Sequence, residues 1–439
     1  MERRRELNKQ KFGIVLPVTL FAYFLILMDN SIIFTSSVQI GESLQLSSSA
    51  LSWVSSAYTL TFGGFLLLSG RLSDLLGRKR IFLIGLSIFG ISSLLIGLSQ
   101  SALMMISMRA MQGVGSSIIA PTTLALIMDA YQSNMRQKAI SYYGATAGIG
   151  SSIGLLIGGG LTSLISWRAG FIINVPFTVI LILLTAKYIN ESETKSEKID
   201  YLGSILSVLA LVGIIFGFTE ANLIVIVLGI IILVLFIIRE SRINFPILPL
   251  TLFKNKIRSS AYATRLLFMM TMLPFWFFLP QMLQSQYGFS AFESGLAFLP
   301  LTIVNFIIAL QLPRLTLKFG NSRILLAGEI VLMIGLILIA ISNISTGYWG
   351  AIFIPMMIIG IGQGLILAPV TAAGVHEAPV ELSGIASGVT NTMHQIGGPI
   401  GLSIIVSITN DFHIEIWMMV VFTAVATIIL AVMANSSNN

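Results

Sequence analysis

The chain has 439 residues, of which 55% are hydrophobic and only 10% are charged, with a net charge of +7 at neutral pH and no cysteine. Soluble domains carry about 25% charged residues, so the composition excludes an ordinary soluble domain and indicates a membrane protein with many spans. The absence of cysteine excludes disulfides, thiol chemistry and cysteine-based metal sites.

The first apolar stretch, residues 12–35, is long enough to cross a bilayer, which takes about 20 mostly apolar residues. It is too long for the core of a signal peptide and lacks a small-residue cleavage site, so we predict an uncleaved first span. This stretch contains one charged residue, Asp29. A carboxylate in hydrocarbon costs at least ~2.5 kcal/mol, and such a residue normally faces water or a partner. Asp29 is therefore a candidate functional residue.

Apolar runs of spanning length recur along the whole chain, and we place fourteen of them. They lie at 12–35, 51–69, 81–99, 102–128, 140–163, 171–187, 201–219, 222–238, 259–281, 294–312, 324–342, 350–373, 384–408 and 416–434. This pattern predicts an all-α membrane protein with fourteen transmembrane helices.

Lysine and arginine predict the orientation of these spans, because cytoplasmic loops are enriched in both residues. If the N-terminus is cytoplasmic, the N-terminal tail and the cytoplasmic loops hold 22 of the 25 basic residues, with Lys187 counted at the edge of its span. The others are Arg109 and Arg265 within spans and Arg168 in an outer loop. We therefore expect a multi-pass protein of the cell membrane with both termini in the cytoplasm. Because this topology explains the positive charge, we expect no nucleic-acid partner.

An internal repeat relates two parts of the chain. Residues 70–80, GRLSDLLGRKR, align with residues 313–323, PRLTLKFGNSR, at an offset of 243. The same offset aligns Ser47 with Ser290, and each is a candidate N-cap for the span that follows. An offset of 247 also relates one glycine pair to another. The two pairs are Gly150 with Gly154 and Gly397 with Gly401.

The repeat contains six spans in each copy, and both copies start from the cytoplasm, so the copies are parallel. We expect an N-terminal six-helix bundle at 1–190 and two inserted transmembrane helices at 191–240. A cytoplasmic linker and a C-terminal six-helix bundle follow at 241–439. Two halves related by an axis along the membrane normal, with a site between them, form a transporter architecture.

The loop at 70–80 is short and basic, and Gly70 and Gly77 permit tight backbone geometry at a helix end. Asp74 is suited to accept hydrogen bonds from a helix N-terminus or to pair with Arg78. We favour a cytoplasmic latch that breaks when the two halves rock. The alternative is a loop that only carries the positive charge of a cytoplasmic face, which explains the basic residues but not their spacing with glycine and aspartate.

Arg109 in the fourth span is a second charge within the membrane. Asp29 lies about five residues inside the outer end of its span and Arg109 about seven, so at ~1.5 Å per residue their levels differ by only ~3 Å. The two side chains are therefore expected to pair directly or to share a water molecule. A proton-binding site is the functional interpretation, and a static structural ion pair is the alternative.

Several other polar residues occur within or beside the spans. Asp129, at the cytoplasmic end of the fourth span, is more readily explained as an anchor for the loop at 70–80 than as a proton carrier. Glu329 is a further acid within a span, without an assigned partner. His394 is interpreted as a satisfied polar residue rather than a proton relay, and the three histidines are too far apart in sequence to suggest a metal site. The sequence contains no GxxxxGK[ST] phosphate loop and no catalytic triad, so we expect neither ATP hydrolysis by this chain nor an enzyme.

The sequence resembles the major facilitator superfamily, in its fourteen-span drug:proton antiporter family. The motifs that carry the resemblance are DNSII at 29–33, GRLSDLLGRKR at 70–80, RAMQGVG at 109–115, the glycine-rich stretch at 150–159, DYLG at 200–203 and SGIASGVTNT at 383–392. The likeness covers the full length. One departure is Leu155, which stands where the antiporter motif usually has a proline after Gly154.

The resemblance implies two helical bundles that export lipophilic, often cationic compounds in exchange for protons, a function associated with antibiotic resistance. Position by position, it assigns proton coupling to Asp29 and Arg109. It assigns a cytoplasmic gate to Gly70, Asp74, Gly77 and Arg78. It assigns the antiporter motif of the fifth span to Gly150, Gly154, Gly158 and Gly159, for which a hinge and simple tight packing remain open alternatives.

By the arrangement of the superfamily, eight of the spans would line a central cavity. Its candidate substrate-contacting residues are Tyr58, Gln112, Trp276, Gln281, Asn305, Gln363, Asn391 and Gln395. We expect lipophilic or cationic substrates, protons and membrane lipids as partners, a monomer, and no cofactor. The proton gradient would supply the energy, with sodium as an open alternative.

The mechanism expected from the sequence is a competition between a cationic substrate and a proton for the carboxylate of Asp29. A proton-coupled transporter of one specific metabolite, on the same fold, is the first alternative function. A membrane sensor that transports nothing is the second. A membrane enzyme has the least support, because no reactive group of residues is apparent.

Overall fold

The computed structural model describes residues 12–191, 200–244, 246–379 and 382–436. These residues form seventeen α-helices and two short 3₁₀ turns, at Leu250–Lys254 and Ile344–Thr346. The helices are α1 Val15–Leu44, α2 Ser48–Leu76, α3 Arg78–Gly97, α4 Ala102–Ala130, α5 Ser133–Leu164, α6 Trp167–Ile172, α7 Asn174–Tyr188, α8 Tyr201–Thr219, α9 Leu223–Glu240, α10 Lys256–Tyr287, α11 Ala291–Ala297, α12 Leu299–Phe319, α13 Asn321–Ile341, α14 Gly347–Ala351, α15 Phe353–Gly374, α16 Ser383–Ile408 and α17 Phe412–Ser436.

Every predicted span coincides with a helix or with two consecutive helices. Within the described ranges, eleven segments are long and apolar enough to cross a membrane. The other three predicted spans fall on α2, α5 and α16, which are long enough, at 29, 32 and 26 residues, but contain more serine and glycine. The predicted all-α membrane fold is confirmed. The sixth, tenth and twelfth predicted spans are each divided into a short helix and a longer one.

The turns that join the helices repeat in the two parts of the chain. Gly77, between α2 and α3, has φ +94°, and Gly320, between α12 and α13, has φ +82°. Glycine adopts this region of backbone conformation without the steric cost that a Cβ imposes. Ser47 caps α2 by accepting a hydrogen bond from the N–H of Ala50 at 3.2 Å, and Ser290 caps α11 in the same way from Glu293 at 3.2 Å. Both predicted N-caps are confirmed.

The helices pack in the same pairs on both sides of the repeat. In the first half, α1–α7, α1 packs on α5 and α2 packs on α4; in the second half, α10–α17, α10 packs on α16 and α12 packs on α15. Glycines allow the close approaches. A Cβ added to Gly154 of α5 would lie 2.8 Å from the backbone of Met28, and one added to Gly401 of α16 would lie 2.2 Å from the carbonyl oxygen of Met270. The two glycine pairs found in the sequence therefore occupy equivalent helix contacts.

The two halves meet along two seams, where α2 contacts α16 and α5 contacts α11. The hairpin of α8 and α9 lies against the first seam, since α8 contacts both α2 and α16. Asp200 caps α8 and forms an ion pair with Arg239 of α9 at 2.6 Å. Burial opposes ionisation of Asp200, but hydrogen bonds from Arg239 and from the N–H of Gly203 outweigh it and lower the pKa of this carboxyl.

Candidate functional site

The carboxylate of Asp29 on α1 lies inside the first half and is bound by three donors. Arg109 Nη1 of α4 donates to Oδ2 at 2.8 Å, and neither of the two side chains has exposed surface. Gln112 Nε2 donates to Oδ1 at 2.9 Å, and Asn174 Nδ2 of α7 donates to the same oxygen at 2.7 Å. Removing a charge from water is costly, and these hydrogen bonds together with the opposite charge offset that cost.

The guanidinium of Arg109 is held by a second set of contacts. Its Nε donates to the carbonyl oxygen of Val54 on α2 at 3.0 Å, and its Nη1 donates to Gln112 Oε1 at 2.6 Å. Its carbon lies 4.3 Å from the centre of the Tyr58 ring, a cation–π distance. The network therefore joins α1, α2, α4 and α7, and protein rather than lipid surrounds it.

A cavity of about 720 Å³ lies between the two halves. It is found at the end of the bundle where α1 begins and α2 ends, which we call the basic end because it carries residues 70–80. The rings of Tyr23 on α1 and Tyr143 on α5 stack on its wall with their centres 4.1 Å apart. Asn391 and Gln395 of α16 face them from the second half. Asp29 and Arg109 do not contribute to this lining.

At the opposite end of the bundle the two halves are in direct contact. Gln39 of α1 donates to Gln284 of α10 at 2.9 Å, and Gln284 donates to the carbonyl oxygen of Thr35 at 3.2 Å. The N–H of Phe292 in α11 donates to the hydroxyl of Ser163 in α5 at 3.0 Å. The cavity is therefore closed toward the opposite end and extends to the basic end.

The eight predicted cavity residues have different surroundings. Asn391 and Gln395 line the cavity between the halves, and Gln281 lines a second cavity of about 700 Å³ at the opposite end. Tyr58 and Gln112 have no exposed surface, so the expectation that they line the cavity is wrong in this conformation. The amide of Gln112 bonds within the network of Asp29. The ring of Tyr58 lies against Arg109, and its hydroxyl donates to Ser116 at 2.8 Å.

The remaining three of these residues lie in helix contacts. The ring of Trp276 on α10 is 6.0 Å from the ring of Phe34 on α1, centre to centre, so it joins the two halves. Asn305 of α12 lies where that helix meets α15, because a Cβ added to Gly364 would be 3.0 Å from its carbonyl oxygen. Gln363 of α15 is buried, and its Oε1 has no hydrogen-bond partner among the described residues.

The loop at the basic end is tied to its own half. Arg78 forms an ion pair with Asp129 at the end of α4 and also donates to the carbonyl oxygen of Ala125 at 2.9 Å. The carboxylate of Glu191 accepts hydrogen bonds from the backbone N–H groups of Lys79 at 3.0 Å and Arg80 at 3.2 Å. It thereby caps the N-terminus of α3, a position that favours negative charge.

Two glycines of this loop differ in their surroundings. A Cβ added to Gly77 would lie 2.5 Å from a carboxylate oxygen of Glu191. This close approach requires glycine at position 77, as does the positive φ. A Cβ added to Gly70 would meet only Pro121, at 3.9 Å. The side chain of Asp74, the other predicted gate residue, lies outside the described part of the structure.

The glycines of the antiporter motif face other helices. Cβ atoms added to Gly150, Gly154 and Gly158 would lie 2.7–3.0 Å from Leu27, Met28 and Ile32, the residues of α1 that flank Asp29. Gly159 points to the second half, since its Cβ would lie 2.5 Å from the carbonyl oxygen of Ala291. Tight packing is thus observed at all four positions, and α5 continues through Leu155 as one helix.

Glu329 on α13 is fully buried, and neither carboxyl oxygen has a hydrogen-bond partner among the described residues. His394 on α16 also has a ring nitrogen, Nδ1, that is buried without a partner there. The interpretation of His394 as a satisfied polar residue is therefore wrong for that nitrogen. Asp129 contacts the loop at 70–80, as expected of an anchor.

The sequence alone did not identify Asn174 and Glu191 as partners of the charged groups, nor Tyr23 and Tyr143 as residues of the cavity wall. Asn174 is a polar residue in an otherwise apolar span, which was the available signal. Glu191 follows the sixth span in a stretch of mixed charge, and nothing in that stretch indicates which helix it caps.

The chain resembles known proteins over most of its length. The sequence profile described as Major Facilitator Superfamily matches residues 19–402. The uncharacterized MFS-type transporter EfpA of Mycobacterium tuberculosis (strain ATCC 25618 / H37Rv) is 32% identical over 390 residues, which cover 86% of this chain and 73% of that one. The puromycin resistance protein pur8 of Streptomyces alboniger is 31% identical, covering 89% and 80%. Multidrug resistance protein 3 of Bacillus subtilis (strain 168) is 30% identical, covering 88% and 77%.

Solved structures share the fold at low sequence identity. The POT family transporter PepTSo superposes with a TM-score of 0.74 at 14% identity, over 97% of this chain and 99% of that one. The D-xylose-proton symporter superposes with a TM-score of 0.70 at 12% identity, over 95% and 96%.

Proposed function

Because the chain belongs to the major facilitator superfamily, we propose that it is a proton-coupled exporter of lipophilic small molecules that works by alternating access. It is a multi-pass membrane transporter and not an enzyme, and it is related at about 30% identity to exporters named for drug and antibiotic resistance. We propose three properties beyond that relationship: export of several compounds, coupling to protons, and a part in antibiotic resistance.

The observation that carries the proposal is the position of Asp29 on α1. The same helix contributes Tyr23 to the cavity wall and Thr35 to the closed contact at the opposite end. Protonation of Asp29 would leave the buried charge of Arg109 without its counter-charge, which is strongly unfavourable. A proton on Asp29 would therefore favour a different packing of α1 against α4 and α7, and that movement would reach both ends of the helix.

This mechanism replaces the direct competition expected from the sequence. Asp29 has no exposed surface, and it does not contribute to the cavity lining. We propose that the proton and the substrate bind at separate places and that α1 links them. Proton exchange with the far side of the membrane would then require the conformation in which the opposite end is open.

The remaining roles belong to the same proposal. Residues 1–190 and 241–439 would move as two bundles, with residues 191–240 as an insert. Gly70, Asp74, Gly77 and Arg78 would form the gate at the basic end. With that end in the cytoplasm, as the distribution of basic residues supports, the conformation described is the inward-facing one.

A transporter of one specific metabolite remains the second candidate. The amides of Asn391 and Gln395 in the cavity wall favour it, because a few placed polar groups are what give a binding site specificity.

The test is accumulation of fluorescent compounds by everted membrane vesicles, with the pH gradient and the membrane potential collapsed separately. A panel of ethidium, a Hoechst dye and N-dansylglycine covers cationic and anionic compounds. We expect uphill accumulation that stops when the pH gradient is collapsed. Accumulation that follows the proton rather than opposing it would overturn export by antiport, and no accumulation of any compound would overturn multidrug transport.

A further inference from the structure

Arg265 on α10 is a buried cation without an anionic partner. Its side chain is in the second half, and the residue is only 8% exposed. Among the described residues, no carboxylate lies within ion-pair distance, and Nε has no hydrogen-bond partner. Its one hydrogen bond there is a long one, 3.4 Å from Nη1 to the carbonyl oxygen of Leu367. A guanidinium has five N–H donors, so most of its capacity is unused.

Two other arginines that are buried in the described part of the chain show how different this is. Arg109 is paired with Asp29 and donates to two further oxygens. Arg258 donates to the carbonyl oxygens of Leu252, His376 and Glu377 at 2.8–3.0 Å. An arginine within a membrane normally finds such partners because the isolated charge is costly. The lack of partners at Arg265 points to a group that is supplied from outside the chain.

Arg265 itself is outside the described lining of the cavity between the halves, and residues of that lining lie near it. Tyr23, on the cavity wall, and His394 are close enough to interact with it electrostatically. The helices α10 and α16 are in close contact one residue further on, where a Cβ added to Gly397 would lie 2.3 Å from the carbonyl oxygen of Leu266. Asn391 and Gln395, on the same stretch of α16, line the cavity.

The described lining of the cavity is also positive at its mouth. It contains Arg71, Arg136 and the ion pair of Arg78 with Asp129, so two arginines carry the excess positive charge of the described lining. A cleft lined by one sign of charge raises the local concentration of molecules of the opposite sign. Arg265, beside this space, would disfavour a cation there, because like charges repel more strongly in a low-dielectric site.

We propose that Arg265 binds a carboxylate of the transported compound, so that this transporter takes anionic or zwitterionic amphipathic molecules. This inference rests on the proposed transport function and names the substrate class. The planar guanidinium matches a carboxylate in a two-bond geometry. The amides of Asn391 and Gln395 supply further hydrogen bonds, and the stacked rings of Tyr23 and Tyr143 contact an apolar or aromatic body.

The test uses binding to the purified full chain in detergent, measured as the shift in Tm, alongside transport in vesicles. The probes share one aromatic body and differ in charge: N-dansylglycine, its methyl ester and dansylcholine. The variants are Arg265→Gln, which removes the charge, and Arg265→Lys, which keeps the charge but lacks the planar guanidinium that forms two parallel hydrogen bonds. Arg323→Gln is the matched control because Arg323 is exposed and is not part of the cavity lining.

We expect the wild type and the Arg323→Gln variant to bind N-dansylglycine at least tenfold more tightly than its methyl ester. Arg265→Gln should abolish that preference while keeping the affinity for the ester, and Arg265→Lys should retain part of it. An unchanged preference in Arg265→Gln would overturn the inference, and so would equal loss of all three probes, which indicates a structural role. Because binding is read without any gradient, binding without transport would refute the proposed function alone.

A lipid phosphate is the other anion that could reach this position. The binding measurement is repeated with added phosphatidic acid. Competition between the lipid and N-dansylglycine is not expected. A Tm shift by phosphatidic acid that depends on Arg265, with no shift by N-dansylglycine, would assign the site to lipid and overturn the substrate assignment.

Discussion

Arg109 and Asp29 meet at 2.8 Å in the interior of the first half, 80 residues apart in the chain and without exposed surface on either side chain. The pair links α4 to α1, which reaches both the cavity at the basic end and the closed contact at the opposite end. Its charge balance therefore affects the packing of a helix that both ends of the transport path share.

The contact between α5 and α11 predicts a graded response to added methyl groups. Gly159→Ala should destabilise the closed opposite end, because the new Cβ would lie 2.5 Å from the carbonyl oxygen of Ala291. Gly160→Ala is the matched control, since its Cβ would meet only the ring of Phe292 at 3.7 Å. Distances between spin labels on α5 and α11 should lengthen in the first variant and stay unchanged in the second. Equal distances in both variants would show that this contact does not hold the opposite end closed.

The repeated turns predict two different costs for the same substitution. Gly320→Ala should lose about 1–3 kcal/mol of stability, because a residue with a Cβ rarely adopts its backbone conformation of φ +82° and ψ +154°. Gly77→Ala should lose more, because its Cβ would also collide with the carboxylate of Glu191. The measurement is Tm of the purified variants. If Glu191 causes the difference, Gly77→Ala made in a Glu191→Ala background should lower the stability by about as much as Gly320→Ala does.

Glu329 predicts a gain in stability on loss of a polar group. Its carboxyl is buried on α13 without a described partner, and a buried polar group without hydrogen bonds costs about 1–3 kcal/mol. Glu329→Leu should therefore raise Tm and leave proton-driven transport intact. A variant that is stable but no longer couples transport to protons would instead identify Glu329 as a second proton carrier.

Helix positions and depths could be predicted from the sequence, but the direction of side chains around each helix could not. The rise of an α-helix fixes how deep a residue lies, which is why Asp29 and Arg109 were expected at one level. The composition of an apolar span does not show which face meets a neighbour. For that reason Tyr58 and Gln112 were assigned to the cavity, although their side chains point into the network of Asp29.

Caps and glycine turns were predictable because they are local. Ser47 and Ser290 bond to the backbone three residues on, and the signal lies within one turn of the helix. The hydrogen-bond partners of Asn174 and Glu191 lie 145 and 112 residues away in the chain. Their roles depend on how the helices pack, so no local pattern reveals them.

The most direct test of the account is transport by Asp29→Asn in proteoliposomes. This substitution keeps the shape of the side chain and removes its charge. Alone it should lower stability by about 3–5 kcal/mol, because Arg109 loses its buried counter-charge. The double variant Asp29→Asn with Arg109→Gln should recover much of that loss, which a double-mutant cycle measures.

The transport assay of this variant uses a compound that the wild type accumulates in everted vesicles. The account predicts that Asp29→Asn still exchanges this compound across the membrane when no gradient is applied, which shows that the variant is folded and binds substrate. It also predicts that uphill accumulation driven by a pH gradient is lost. Uphill accumulation by Asp29→Asn at the wild-type rate would contradict the assignment of Asp29 to proton coupling.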